Sequence, residues 1–276
     1  MVEIGRYNTL EVVKTVDFGV YLDGDDLGTI LLPKRYVPER CALGDRLSVF
    51  IYTDSEDLLI ATTEAPRVCA GECAHLVVKD VNDAGAFLDW GLSKDLLVPY
   101  GEQHKPMEVG KSYVVCVYLD EHSDRIVASS RLSRHLQETS MYFKEHQAVD
   151  LLICGRSDMG YKAVINHTHL GLVFRDEAFK ALKYGEKVQG YIHGIRQDKK
   201  IDLALQLPAG KGRDELSERI LADLRAQKGA STLTDKSDPK EIYRLFNVSK
   251  NNYKKALGAL YKQKKIRIEP DKITLL

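Results

Sequence analysis

Nowhere in the 276 residues do about 18 apolar residues follow one another, so no stretch reads as a membrane span. The opening, MVEIGRYNTLEVV, lacks a basic region followed by an apolar run and lacks a small-residue cleavage site. A soluble, cytoplasmic protein without membrane contact is therefore expected. Cysteine is scarce: Cys41, Cys69, Cys73, Cys116 and Cys154 are odd in number and fit no disulfide framework, which predicts reduced thiols. Cys69 and Cys73 have no second Cys/His pair at finger spacing, and His167 and His169 have no evident third ligand, so no metal site is expected. Enzyme signatures are missing as well. The segment GKGRD has neither the spacing nor the preceding strand of a phosphate-binding loop, and no HExxH, nucleophile elbow or kinase set occurs. The acidic cluster Asp23-Gly24-Asp25-Asp26 sits in a hairpin turn without a fixed partner. No catalytic residue and no cofactor is assigned.

Net charge is also absent, with 40 Lys and Arg against 40 Asp and Glu, but the balance is uneven along the chain. It is −9 over residues 1–140, +2 over 141–210 and +7 over 211–276. Such a gradient points to a polyanion-facing carboxy-terminal end and an acidic end that phosphates repel.

What the chain does have is a repeat. Asp17-Phe18-Gly19-Val20-Tyr21-Leu22 returns as Asp83-Ala84-Gly85-Ala86-Phe87-Leu88 and, more weakly, as Asp158-Met159-Gly160-Tyr161. A second landmark, Gly44, Gly110 and Gly185, moves in step: both sets are spaced by 66 and then 75 residues. Two landmarks shifting together indicate three copies of one module. In the first, short β-prone runs fall at 9–16, 20–22, 28–32, 46–52 and 58–62; in the second, at 74–81, 86–88, 95–99, 112–119 and 125–129. The third has the same layout, with a last hairpin turning at Gln197–Lys200. Five strands with a break before the fourth describe a small Greek-key barrel of the oligonucleotide-binding type. A helical linker is expected over 135–146.

After Pro208, Gly210 and Gly212 the period changes to helical. Leu216, Ile220, Leu221 and Leu224 predict a first helix. Asp238 caps a second that starts at Pro239, and Ser249 caps a third carrying Tyr253, Leu257 and Leu260 inward. IRIEPDKITLL closes as two strands around Glu269-Pro270-Asp271. Three helices and a hairpin make a winged helix-turn-helix. The fold class expected is multidomain β plus α: three five-stranded barrels at 1–65, 66–134 and 147–208, then a winged-helix domain at 209–276.

An aromatic on strands two and three of such a barrel can stack on a base of any identity. Phe18 and Tyr21 stand there in the first module, and Phe87 with Tyr100 in the second. In the third, Tyr161, Lys162, Phe174 and Arg175 hold the corresponding region, with Lys199 and Lys200 in the last hairpin. In the winged domain Lys250, Asn251, Lys254 and Lys255 line the third helix, and Lys264, Lys265 and Arg267 continue into the hairpin. From Tyr243 to Leu276 nine basic residues face two acidic ones.

Glycine between two aromatic positions, then GLV with a ring after it, then a charged hairpin, resembles the RNA-binding domain of ribosomal protein S-one. The resemblance implies that strand-two aromatics and a residue after the third strand, here Phe174, contact single-stranded RNA. Three such modules with a winged helix resemble the conserved virulence factor B family of bacterial regulators. That resemblance implies an RNA-binding regulator of gene expression, with the third barrel and the winged domain as the RNA platform. The acidic first two barrels leave RNA contact, a structural role and protein contact open. The alternatives are a duplex-DNA-binding regulator, using the winged helix on DNA and the barrels on protein, and an accessory factor of RNA degradation or a weak nuclease.

Overall fold

The computed structural model describes the chain except residues 55, 122, 176, 177, 179, 208–212 and 247, with the backbone alone at 213 and 214. The described residues form three closed five-stranded barrels and a helical domain with a small sheet. Barrel 1 comprises β1 (Tyr7–Val16), β2 (Gly19–Asp23), β3 (Thr29–Pro33), β4 (Arg46–Thr53) and β5 (Leu59–Thr62). Barrel 2 comprises β6 (Cys73–Asn82), β7 (Gly85–Leu88), β8 (Leu96–Pro99), β9 (Ser112–Asp120) and β10 (Arg125–Ser129). Barrel 3 comprises β11 (Ala148–Arg156), β12 (Gly160–Ile165), β13 (His169–Phe174), β14 (Lys187–Ile195) and β15 (Ile201–Ala204). In each, the third strand pairs in parallel with the fifth and closes the sheet. Alternate residues such as Val12, Val20, Leu22, Ile30 and Leu32 fill the first interior. Each large side chain buried in this way contributes roughly 1.5–3 kcal/mol.

The repeated glycines have a steric cause. A Cβ on Gly19, Gly85 or Gly160 would lie 2.2, 2.3 or 2.1 Å from the carbonyl oxygen of Leu32, Val98 or Val173 on the neighbouring strand. Gly44 and Gly110 have open space but φ of +87° and +80°, a left-handed turn suited to glycine. Their N–H groups donate to Val12 and Val78 (both 2.9 Å), and Gly185 donates to Ile153 (2.8 Å). The three acceptors begin a bulge in the first strand of each barrel, between Val12 and Lys14, Val78 and Asp80, and Ile153 and Gly155. Glycine turn and bulge are thus one device, which bends the long first strand around the barrel.

The barrels are joined through packed surfaces. Trp90, 2% exposed, stands edge-on to Phe50 of β4 at 5.7 Å, and the two rings lie in one cluster with Tyr52, Val68 and the barrel 2 core. Its indole N–H donates to the Lys94 carbonyl (2.6 Å). Between barrels 2 and 3, Cys73, Val114, Cys116, Leu136, Leu152 and Val164 form a second cluster. There the Cys73 N–H donates to His167 Nδ1 (3.0 Å) and the Val114 N–H to the Tyr184 hydroxyl (2.8 Å).

The structure departs from two expectations. Cys73 and Cys116, read as free thiols, are joined by a disulfide, because the β6–β9 register sets them directly opposite with Cα atoms 4.0 Å apart. Counting cysteines cannot reveal a register. Cys41, Cys69 and Cys154 are free, and burial pushes the Cys154 thiol up to about 11. The linker expected as a helix over 135–146 is not one. A single 3-10 turn at Leu132–Arg134 leads into an extended segment. Gln137 bridges His169 in parallel, and Thr139 bridges Lys200 in antiparallel. Leu136 is buried between the barrels, and these backbone bonds replace the helical ones.

The helical domain has α1 (Arg213–Ala226), α2 (Pro239–Phe246) and α3 (Lys250–Lys262), with β17 (Ile266–Ile268) and β18 (Ile273–Leu275) as the hairpin. A short strand missed by the sequence reading, β16 (Ala230–Ser231), adds to β18. The Asp238 carboxylate accepts from the Lys240 N–H (2.7 Å) and the Ser249 hydroxyl from the Asn252 N–H (3.2 Å), as capping residues do. Ile220, Leu224, Ile242, Phe246, Tyr253 and Leu257 share the core. The linker glycines Gly210 and Gly212, with Pro208, lie outside the described residues.

Candidate nucleic-acid interface

The outer face of the second and third strands can be compared position by position because the three barrels share a register. Across it, barrel 1 aligns Lys14, Tyr21, Leu31 and Ile60; barrel 2 aligns Asp80, Phe87, Leu97 and Val127; barrel 3 aligns Gly155, Lys162, Leu172 and Asp202. Barrel 1 keeps a ring pair: Phe18, 57% exposed, stands edge-on to the half-buried Tyr21 at 6.4 Å. Lys34 follows β3 with its N–H on the Phe18 carbonyl (2.8 Å), so two lysines flank the rings. Lys14 and Lys34 were not singled out in the sequence; the bulge decides that Lys14 lies beside Tyr21, and a bulge is not legible in one sequence. In barrel 2, Phe87 is half-buried opposite Asp80. Tyr100 is exposed, with its hydroxyl donating to the Asn82 carbonyl (2.7 Å).

In barrel 3 one expected ring is lost. Tyr161 occupies the register of Val20 and Ala86, points inward and lies in the barrel core, so it presents no stacking face. Lys162, one residue on, takes the position of Tyr21 and is exposed. Phe174 pairs with Gly160 as Pro33 pairs with Gly19 and Pro99 with Gly85, so its equivalents are those prolines. It is half-buried and outside the barrel core cluster, on the outer side of β13. Arg175 is exposed, its N–H held by the Met159 carbonyl (3.0 Å). Lys199 and Lys200 are exposed at the β14–β15 turn. Nearby, burial raises the Asp202 carboxyl against the opposing charge of Arg196, 3.1 Å away.

On α3 the expected residues divide. Asn251, Lys254, Lys255 and Lys262 share the outward side with Gly258 and line a shallow trough. The spacing is that of one helix face, opposite the buried Tyr253, Ala256, Leu257 and Leu260. Lys250 and the helix start are used otherwise. The Lys250 ammonium donates to the Lys236 and Ser237 carbonyls (3.2 and 2.9 Å), and the Asn252 amide donates to Gln206 of barrel 3 (2.6 Å). The same junction places the Lys180 ammonium 5.0 Å from the Tyr243 ring centre. Lys264 and Arg267 are exposed, whereas Lys265 lies 3.9 Å from Glu218.

His167 and His169 are engaged in packing. The first accepts the Cys73 N–H, and the second packs edge-on to Phe143 at 4.9 Å. Among the described residues no group of three or more His, Cys, Asp or Glu could hold a metal ion, and no helix is long and apolar enough to cross a membrane.

Three oligonucleotide-binding-type barrels with an outward ring pair, followed by a winged helix with a lysine-lined face, make a multidomain protein of the nucleic-acid-binding class. The S1 domain family matches residues 4–64 and 70–131, and the CvfB-like winged helix domain matches 218–275. The chain is 33% identical to the uncharacterized protein YitL of Bacillus subtilis, over 95% of this chain and 90% of that protein. It is 26% identical to conserved virulence factor B of Staphylococcus saprophyticus, over 99% and 94%. A crystal structure of a multidomain protein with nucleic acid binding domains from Streptococcus pneumoniae aligns over 99% of this chain and 98% of that one, at 23% identity and a TM-score of 0.42. The chain belongs to the conserved virulence factor B family.

Proposed function

We propose that the chain is a cytoplasmic, non-catalytic regulator of gene expression that binds single-stranded RNA through barrel 3 and the basic winged-helix domain. Lys254, Lys255, Lys262 and Arg267 supply phosphate contacts. Phe174, flanked by Lys162 and Arg175, supplies a stacking surface. The observation that carries the reading is the division of α3. A helix that reads duplex DNA inserts its first turn into the major groove. Here Lys250 and Asn252 of that turn are engaged by protein, while the lysine face beyond is open. A single strand followed along its backbone needs only an open cationic face and exposed rings. This favours RNA over duplex DNA as the target.

Barrel 1 is a secondary contact, supported by the Phe18–Tyr21 pair with Lys14 and Lys34, although the −9 balance of residues 1–140 opposes phosphates overall. The acidic barrels also suit a protein partner. A gel shift with labelled single-stranded RNA, competed by unlabelled RNA or duplex DNA, tests the reading. Single-stranded RNA should displace the probe at much lower concentration than duplex. Equal or better competition by duplex would overturn the choice of RNA.

A further inference from the structure

The segment between barrels 2 and 3 is pinned on both sides of two outward side chains. Gln137 donates to the Thr168 carbonyl (3.0 Å) and accepts from the Leu170 N–H (2.8 Å), and the Ser140 N–H donates to the Lys199 carbonyl (3.2 Å). Leu136 and Ser140 are buried, and Phe143 turns inward against His169. Between these anchors Met141 is 72% exposed and Tyr142 88%. The Tyr142 N–H is held by the Ser140 hydroxyl (3.1 Å), so the ring projects from a fixed backbone.

The bond from Ser140 to Lys199 brings the backbone two residues before this ring onto the β14–β15 turn. That turn carries Arg196, Lys199 and Lys200, all exposed; Asp198 lies 3.9 Å from both Arg196 and Lys200, and Asp202 of β15 engages Arg196 at 3.1 Å, so the two lysines supply the excess charge. An exposed ring beside an excess of cations matches the two needs of an unpaired strand, a π-face for a base and positive charge for its phosphates. A protein partner would require a broader apolar patch; here the two apolar side chains are bordered by charge. Phe143, the residue after Tyr142, packs on His169 at the start of β13, and Phe174 ends the same strand about 17 Å away. That distance lies within one oligonucleotide-binding site of roughly 4–16 nucleotides.

We infer that Tyr142, with Lys199 and Lys200, forms a second stacking and phosphate-binding position for single-stranded RNA, extending the barrel 3 face beyond the part that the barrels share. This rests on the reading of the chain as a single-strand binder. The test is fluorescence anisotropy of the full chain with labelled oligouridine of about 3 and about 16 nucleotides, the shorter unable to bridge about 17 Å at about 3.4 Å per nucleotide. Tyr142→Ala should weaken the longer probe by about 5- to 150-fold and the shorter one little. Tyr142→Trp should keep wild-type affinity and Tyr142→Leu should not, since a base stacks on a ring and not on an aliphatic group. Melting temperatures should match wild type, the side chain being outside any core. Wild-type affinity of Tyr142→Ala for the longer probe, or full rescue by leucine, would overturn the site and leave the surface to a protein partner. Failure of the wild-type chain to bind either probe would overturn the site together with the reading beneath it.

Discussion

Replacing Lys254 and Lys255 together by alanine tests the phosphate face of α3. Both side chains point to solvent, and the helix is held from its other side by Tyr253, Ala256, Leu257 and Leu260, so folding should be unaffected. Alanine is the best helix former, which also favours an unchanged or slightly raised melting temperature. Each phosphate contact on a single strand contributes about 0.7 to the slope of log affinity against log salt, so losing two flattens the slope by about 1.4. Between about 50 and 200 mM salt the wild-type chain should then lose about seven-fold more affinity than the double variant. The two lysines are not equivalent. Asp235 stands 4.0 Å from the Lys254 ammonium and already offsets part of its charge, so Lys255→Ala alone should flatten the slope more than Lys254→Ala. Anisotropy titrations across a salt series measure all three variants. A double variant with the wild-type slope would refute the role of this face, whatever its affinity at one salt concentration.

Phe174→Ala should weaken RNA binding by about 1–3 kcal/mol with an unchanged salt slope and little change in melting temperature, since the ring lies outside the barrel core; a large stability loss in thermal melts would remove it from the site. Gly160→Ala forces a Cβ to 2.1 Å from the Val173 carbonyl oxygen at φ +156° and should cost roughly 1–3 kcal/mol each from strain and overpacking, read by urea unfolding. Ile51→Ala removes a fully buried barrel 1 side chain and should destabilise by about 2–5 kcal/mol. Because Trp90 is the only tryptophan and packs on Phe50, its fluorescence should report that loss from barrel 2; an unshifted Trp90 transition would show that the barrels unfold separately. Burial raises the Glu102 carboxyl, but Ser129, His135 and Arg134 outweigh it and hold the value below the ordinary one. Its stabilisation is therefore present above the ordinary carboxylate pKa and lost as pH falls through the folded value. The stability gap between wild type and Glu102→Gln in urea melts should narrow with acidification.

Local chemistry made much of this architecture readable. Strands alternate inward and outward, helices repeat near 3.6 residues, and caps at Asp238 and Ser249 act within a few residues of their own position, so each leaves a mark in a short window. The paired glycines were legible because their constraints, a cross-strand carbonyl at Gly19, Gly85 and Gly160 and a left-handed turn at Gly44 and Gly110, recur in register with the repeat. That same register sets Tyr161 with Val20 and Ala86 and so inward, against the stacking role that its aromatic type suggests.

Other features depend on contacts between distant segments. The stretch 135–146 has the composition of a helix, but edge hydrogen bonds from β13 and the burial of Leu136 between two barrels outweigh so weak a local preference. Cys73 and Cys116, 43 residues apart, meet through a strand register, and Trp90 joins Phe50 across a domain boundary. The open and engaged parts of α3 are set by Gln206 and by the carbonyls of Lys236 and Ser237, none of them part of that helix. By itself the sequence determined the modules, their order and the cationic character of the carboxy-terminal end, because period, turn chemistry and charge are properties of neighbouring residues. Which rings and lysines face solvent was decided only in the tertiary structure, because exposure belongs to whatever packs alongside, and those neighbours come from elsewhere in the chain.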